Sequence, residues 1–571
     1  MKSSSRRGSL ARLLLVIVLA GCSTSHYRKS ADRETYGVIQ QKSSNVENAD
    51  RHFTIEQTNT LSLDSFPITA NAHDYLGTDG EHEIGARVVR LEDTLALAIR
   101  FSRAYQARKE QLYLSALSLT LTRHQFAPLF SSSGNVSYDV QTEHIEGVEI
   151  DPITGEPTGA VSDNVVEEHR VRASGDINAS WLIRDVGRIT TAFTADFLRF
   201  VTGDSRVTTS SQLSATFLRP LLRDAGFKQQ TELLIQAERQ LLYDLRDFTR
   251  YRKDFSVQIA TSYYGVLGNR DAVRNSFLNL QSSGKNAERS RALAQEGRIT
   301  QSDLGRLEQQ VLSAESTWIN AVRNYKQTLD NFKLQLGLSV DSNLVLDDRE
   351  LEALQILHPN LSVEDSIQIA LTARLDYLNS KDEFEDSERK VKLAVNFLLP
   401  RIDLAASAAI SSDPNDNSGF PIPDPARFNW NAGLNIDPAL DRKAERNVYR
   451  SALIARDRAF RAVAQQEDEI KLQVRDNWRT LDQAKRNYEI SEIGVKLAER
   501  RVEEQNLLAE LGRAKAQDQV DAQNDLINSK NQRTQALVTH TIARLQFWEN
   551  MGILYIKDNG QWEEMQHAKA Q

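Results

Sequence analysis

Between Leu453 and Val502 an apolar residue returns at every seventh position: Leu453, Phe460, Val474, Leu481, Tyr488, Val495 and Val502, with Glu467 the one polar interruption. A second seam runs three residues after the first, through Val463, Ile470, Ala484 and Ala498. This is the a/d pattern of a coiled coil, with period 3.5. No proline follows Pro438. The spacing therefore predicts one helix from about Arg442 to Glu510, roughly 100 Å long at 1.5 Å per residue. Helices of globular domains average about 11–12 residues. A chain with this segment is built to span distance. An earlier stretch (Leu234, Leu241, Leu245, Phe248, Phe255, Ile259, Val266, Val273, Leu280) predicts a second such helix, from about Lys228 to Ala294.

Two long helices raise the question of internal duplication. Leu91-Glu92-Asp93-Thr94-Leu95 opens an amphipathic helix that stops near Pro128, and Val363-Glu364-Asp365-Ser366-Ile367 opens one that stops near Pro400. Tyr105 and Tyr377 keep the same spacing. Later pairs match at a shorter spacing: Gly297-Arg298 with Gly512-Arg513, Asp303 with Asp518, Phe332 with Phe547, Gly337 with Gly552. The first copy therefore holds surplus sequence, which could supply a second hairpin near Ile189 to Phe200.

After each proline the apolar period changes from 3.6 to 2. Val136, Tyr138 and Val140 alternate with Asn135, Ser137 and Asp139; Val171, Ala173, Ile177, Ala179, Trp181 and Ile183 share one parity; Val207, Leu213, Ala215 and Phe217 follow. In the second copy Ile402 to Leu404 and Ala426 to Asp437 read the same way. Such strands have one apolar face, and their lengths suit the 9–11 residues a tilted barrel strand needs to cross a bilayer. Gln141 to Glu168 reads as an acidic loop with no Lys or Arg, a solvated face in preference to a calcium site; Ser411 to Pro425 is its counterpart. Both are expected at the cell exterior.

The chain of 571 residues carries a net charge of −8 and has no run of about 20 apolar residues, so no transmembrane helix is expected. The acidic balance and the lack of basic tracts argue against a nucleic-acid partner. Lys2, Arg6 and Arg7 precede the apolar Leu13 to Leu19, as in a signal peptide. Leu19-Ala20-Gly21-Cys22 resembles the lipobox of bacterial lipoproteins. That resemblance implies lipid on Cys22, with palmitate among its chains, and Ser23 after it implies passage to the outer membrane. The other reading is an ordinary signal peptide with a chance Cys. The expected organisation is a signal peptide (1–21), a lipid-anchored extended leader (22–90), repeat 1 (91–338), a non-helical connector (339–361), repeat 2 (362–552) and a polar tail (553–571).

Helix, strands, long helix, tip and shorter helix, twice over behind a lipobox, resemble the TolC family of outer-membrane efflux proteins. Further points of likeness are Leu399-Pro400-Arg401 before a strand, the Gly-x5-Asp tips, and Arg219-Pro220-Leu221-Leu222-Arg223-Asp224-Ala225-Gly226 as a strand-to-helix corner. The resemblance covers about Leu91 to Gly552. It implies an α+β membrane protein: an internally duplicated chain whose long helices form a coiled-coil barrel in the periplasm, continuous with a trimeric transmembrane β-barrel. Four strands per subunit are implied, or six if the surplus sequence joins the sheet. It also implies an outer-membrane exit duct of a tripartite efflux or type I secretion system in a Gram-negative bacterium. The partners would be a periplasmic adaptor and an inner-membrane pump.

No catalytic, metal or phosphate-binding pattern is present, and no cofactor is expected beyond the lipid on Cys22. The residues of interest are at the predicted tips. Asp518 and Asp521 lie three apart on one helix face. In the TolC pattern, aspartates six and nine past the tip glycine ring the closed entrance. Gly512 leads to both Asp518 and Asp521, whereas Gly297 leads to Asp303 and then Arg306. Arg306 and Arg513 are candidate tethers for such a gate. Gly297, Arg298, Gly512 and Arg513 would meet the adaptor; the plain alternative is that they are turns, and that the aspartates are paired surface carboxylates. A second class of function, a lipid-tethered coiled-coil scaffold or adaptor without a pore, explains the heptads but not the alternating strands.

Overall fold

The computed structural model describes residues 23–56, 63–70, 72–151, 153–202, 206–415, 421–438, 440–511 and 513–564. The expected signal peptide, Cys22, Gly512 and the last seven residues of the tail lie outside them. The chain divides into two compact units: residues up to Ala116 with Leu241–Phe384 and Ala459 onward, and Leu117–Gln240 with Glu385–Arg458.

The second unit is built around one antiparallel sheet. It contains β2 (Leu129–Ile150), β3 (Pro157–Ile183), β4 (Gly187–Phe200), β5 (Val207–Pro220), β7 (Arg401–Ser411) and β8 (Phe428–Asp437), in the spatial order β2-β3-β4-β5-β7-β8. The surplus sequence of the first half thus joins the sheet as β3 and β4. The acidic stretch expected as a loop is instead ladder: Gln141 pairs with Glu168, and the pairing continues to Ile150 opposite Pro157. Period-2 alternation keeps each strand's apolar set on one side, and the register aligns those sides. One row runs Ser132, Ile177, Phe193, Leu213, Ile410, Phe428 and the next Phe130, Ala179, Thr191, Ala215, Ala408, Trp430. On the other face a row runs Ser131, Asn178, Ala192, Ser214, Ala409, Asn429. The sheet therefore has one apolar face and one lined by small polar side chains. The apolar face is bare in the single chain: Phe130 is 79% and Trp430 71% exposed.

The long helices are α4 (Phe227–Gln295) and α9 (Lys443–Glu510), and the returning ones α5 (Gln301–Leu336) and α10 (Ala516–Asn550). Each of the two long helices begins and ends within about a residue of the expected position. In the first unit the heptad seams of α9 are buried at Ile470, Val474, Leu481, Ala484, Val495 and Ala498. Ile470 and Val474 pack with Ile367, Ala370 and Tyr377.

The helices expected to reach Pro128 and Pro400 unbroken are each broken once. The first is α2 (Leu91–Phe101) and α3 (Arg103–His124), the second α7 (Val363–Ala373) and α8 (Leu375–Phe397). Ser102 and Arg374, at equivalent places in the two halves, are extended at ψ 123° and 120°. The cause is a close approach. α5 and α10 end on Gly337 (φ 83°) and Gly552 (φ 79°), whose N–H groups close the last turn. A Cβ on Gly337 would lie 2.0 Å from the Phe101 carbonyl oxygen, and one on Gly552 3.0 Å from that of Ala373.

Three segments are more ordered than expected. The leader is not extended throughout: Thr24–Ser43 forms helix α1 and buries Val38 and Ile39. It borrows a core, with Phe53 edge-on to Phe248 of α4 at 5.7 Å. The connector contributes β6 (Leu344–Leu346), paired in parallel with β1 (Arg87–Val89) of the leader, and the one-turn α6 (Arg349–Glu352). The tail turns back as β9 (Leu554–Ile556) and β10 (Trp562–Glu564), because Ile553, Leu554 and Ile556 are apolar enough to bury. Asn48 clips leader to tail, donating to the Ile556 carbonyl at 2.7 Å and accepting from its N–H at 2.8 Å.

Candidate functional site

The turn from α4 into α5 is made by Gly297 at φ 73°. Its N–H donates to the Ala294 carbonyl, and the Arg298 N–H to that of Leu293 at 2.9 Å. This pair of hydrogen bonds closes a helix C-terminus and needs the left-handed backbone that glycine tolerates. At the second tip the Arg513 N–H likewise donates to the Leu508 carbonyl at 2.9 Å. Thr300 then caps α5. Its hydroxyl accepts from the Asp303 N–H at 3.1 Å and donates to the Asp303 carboxylate at 2.7 Å. Asp303, expected at the gate, is thus also a capping residue, the same part that Asp365 plays with Ser362 at the start of α7. Thr-x-x-Asp was legible as a helix-start signature.

Below the tips Ala287, Leu307 and Ala516 bury one another, with Val311 and Val520 beside them. This packing carries the polar groups of α5 and α10 together. Arg306 donates to Gln517 Oε1 at 3.2 Å, Gln517 donates to Asp521 Oδ1 at 2.9 Å, and Gln310 donates to Asn524 at 2.8 Å. Arg306 therefore reaches Asp521 through Gln517, a relay that sequence reasoning did not identify because Gln517 belongs to no motif. Asp518 lies half-buried in the first turn of α10, without a hydrogen-bond or ion-pair partner among the described residues. Arg289 of α4 pairs with Glu510 of α9 at 3.7 Å.

A second polar layer surrounds the break at Arg374. This residue is 4% exposed; it donates to both oxygens of Asp376, at 3.0 and 2.6 Å, and to Gln473 at 2.7 Å. Arg250 also pairs with Asp376 at 2.6 Å. Burial alone would raise the Asp376 carboxyl, but the two guanidinium groups outweigh it and hold the carboxyl below its ordinary range. Nearby, Lys253 donates to the Gly552 carbonyl at 2.7 Å, and burial lowers its pKa to about 8. A cavity of about 610 Å³ opens beside this layer, lined by Asp244, Asp247, Asp254, Arg108 and Arg250. Among the described residues no group of three or more His, Cys, Asp or Glu could hold a metal ion, and no helix is long and apolar enough to cross a membrane.

No protein-family model and no curated protein matches the chain. Solved structures do. The Campylobacter jejuni CmeC outer-membrane channel is 12% identical at a TM-score of 0.58, over 91% of this chain and 96% of that one. The outer-membrane protein VceC of Vibrio cholerae is 13% identical at 0.58, over 81% and 96%. The open state of the Neisseria gonorrhoeae MtrE outer-membrane channel is 11% identical at 0.58, over 82% and 90%. The likeness, at these identities, is one of fold. It covers nearly the whole of each channel.

Proposed function

We propose that this chain is the outer-membrane exit duct of a tripartite efflux or type I secretion system, passively conducting substrate from a periplasmic pump and adaptor to the exterior. The observation that carries this reading is the two-faced, six-stranded sheet inserted between the helices of both halves. Its apolar face suits lipid and its polar face suits water. The fold shared with CmeC, VceC and MtrE supports the same reading.

A lone sheet of this kind has two open edges, β2 and β8. Edges are ordinarily blocked by Lys, Pro or a bulge. Leu129 to Val140 and Phe428 to Asp437 contain no Lys, Arg or Pro. The edges are built to be paired, and backbone groups in hydrocarbon must be paired. Three copies closing β8 onto β2 of the next give a homotrimeric barrel. The exposed seam residues of α9, such as Phe460, would be covered in the same ring. The matched breaks, glycines and tips speak for a duplicated ancestor. Lipid on Cys22 would add a tether. The tips at Gly297, Arg298, Gly512 and Arg513 would meet the adaptor.

Asp303, Asp518 and Asp521 from three subunits would gather at the periplasmic entrance. A ring of carboxylates favours cations over anions. Arg306, through Gln517, is the tether we assign to hold Asp521 while the entrance is shut, and opening would be a shear of α5 and α10. The test is the purified full-length protein in detergent. Light scattering should give three subunits per particle, and planar bilayers should record discrete cation-selective steps. A monomer, or a trimer that never conducts, would leave only the tethered scaffold.

A further inference from the structure

We infer that this duct closes on eighteen strands, six from each of three copies, where two hairpins per subunit would give twelve. The inference rests on the exit-duct reading. β2 follows α3 as β7 follows α8, and β5 leads into α4 as β8 leads into α9. Those four strands are counterparts. β3 and β4 have none and are the inserted pair.

Their place in the sheet decides what they do. An added hairpin on an edge could swing aside and leave the barrel unchanged. This one lies in the middle, with β3 paired to β2 from Leu129 opposite Ser180 onward and β4 paired to β5 from Arg188 opposite Leu218 to Arg199 opposite Val207. Expelling it would break both ladders and strand their backbone groups in hydrocarbon, where each must be paired. An up-and-down pair also preserves the alternation of strand direction, so β2 and β5 keep the polarity they would have as neighbours. The inserted strands carry the two-faced pattern of the rest as well. Ile177 and Phe193 fall in the apolar row of Leu213 and Ile410, and Asp176 and Thr194 fall in the polar row of Gln212.

Barrel diameter grows roughly linearly with strand number, so at equal tilt eighteen strands give a lumen about half as wide again as twelve. Barrels of 16–18 strands enclose an aqueous channel. The residues facing inward here, such as Ser131, Asn178, Ser214 and Asn429, are short and hydrated and leave that width open. The membrane section of this duct is therefore dimensioned for bulkier hydrated cargo than four strands per subunit would pass.

Electron cryomicroscopy of the full-length protein in detergent decides the matter by counting strands in a section across the sheet. A threefold ring of eighteen is expected. A threefold ring of twelve with β3 and β4 folded outside it would overturn this inference and leave the exit duct standing. Particles without threefold symmetry, or without a closed sheet, would overturn the exit duct and this inference with it.

Discussion

Arg270 is only 2% exposed and binds four groups at once. It donates to Tyr75 at 2.9 Å, Glu83 at 3.0 Å and the Leu346 carbonyl at 3.2 Å, and it pairs with Asp348 at 3.4 Å. Leader, connector and α4 meet on this one side chain. Removing one partner of a buried pair costs about 3–5 kcal/mol, because the other charge is left unpaired. Arg270→Ala should lower the thermal midpoint accordingly, while Arg270→Met with Glu83→Leu should recover much of the loss. His540 is a buried group of another kind. It is fully buried, and neither ring nitrogen has a hydrogen-bond partner among the described residues. Burial, with Arg544, His358 and Lys485 nearby, lowers its pKa from 6.5 to about 4. Between those values the unfolded chain holds a proton that the folded chain lacks, so stability falls as pH drops from about 6.5 towards 4. His540→Leu should flatten that part of the slope; melting curves taken at pH 7 and 4.5 measure it. At the tip, Asp518→Ala with Asp521→Ala should raise single-channel conductance and weaken cation preference. Unchanged traces in planar bilayers would remove the gate assignment.

At the scale of elements, the three helix-ending glycines should respond differently to the same change. All have positive φ, which costs an L-residue roughly 1–2 kcal/mol. Gly297 has nothing within 4 Å of a new Cβ, so Gly297→Ala should cost little more than that. Gly552→Ala adds a tight contact at 3.0 Å, and Gly337→Ala a clash at 2.0 Å with a backbone oxygen. Midpoints from thermal unfolding should fall in the order Gly297, Gly552, Gly337, the last losing most. The same comparison explains what could be read from the sequence. The long helices were legible to within a residue or so because heptads, glycines and caps are local signals. The breaks at Ser102 and Arg374 were not, since both sit in sequence that would continue a helix. They are imposed by α5 and α10, which arrive from far along the chain. A hairpin near Ile189 to Phe200 was legible as surplus sequence; the seat of β4 between β3 and β5 was not, because register is a property of pairs. Leader helix α1 escaped notice because Val38 and Ile39 are sparse in a polar stretch and find their core elsewhere. Of the candidate site, the turns and the aspartates were visible, but the link from Arg306 to Gln517 joins residues 211 positions apart.

For the whole molecule, in the trimer proposed above, the sheet sets how subunits depend on one another. Its two open edges are different strands, so contact between copies is head-to-tail and must close to leave no edge. A copy whose β8 is studded with prolines can still offer β2 to one neighbour, yet the circle it enters has a gap. Co-expressed in equal amounts with the normal chain and mixed at random, such a copy should leave only about one circle in eight free of it. Conductance per milligram of membrane protein would fall by about that factor, where independent channels would lose half. One damaged gene would thus poison the product of its healthy twin. The seam that makes the wall continuous also makes the weakest subunit the arbiter of the rest.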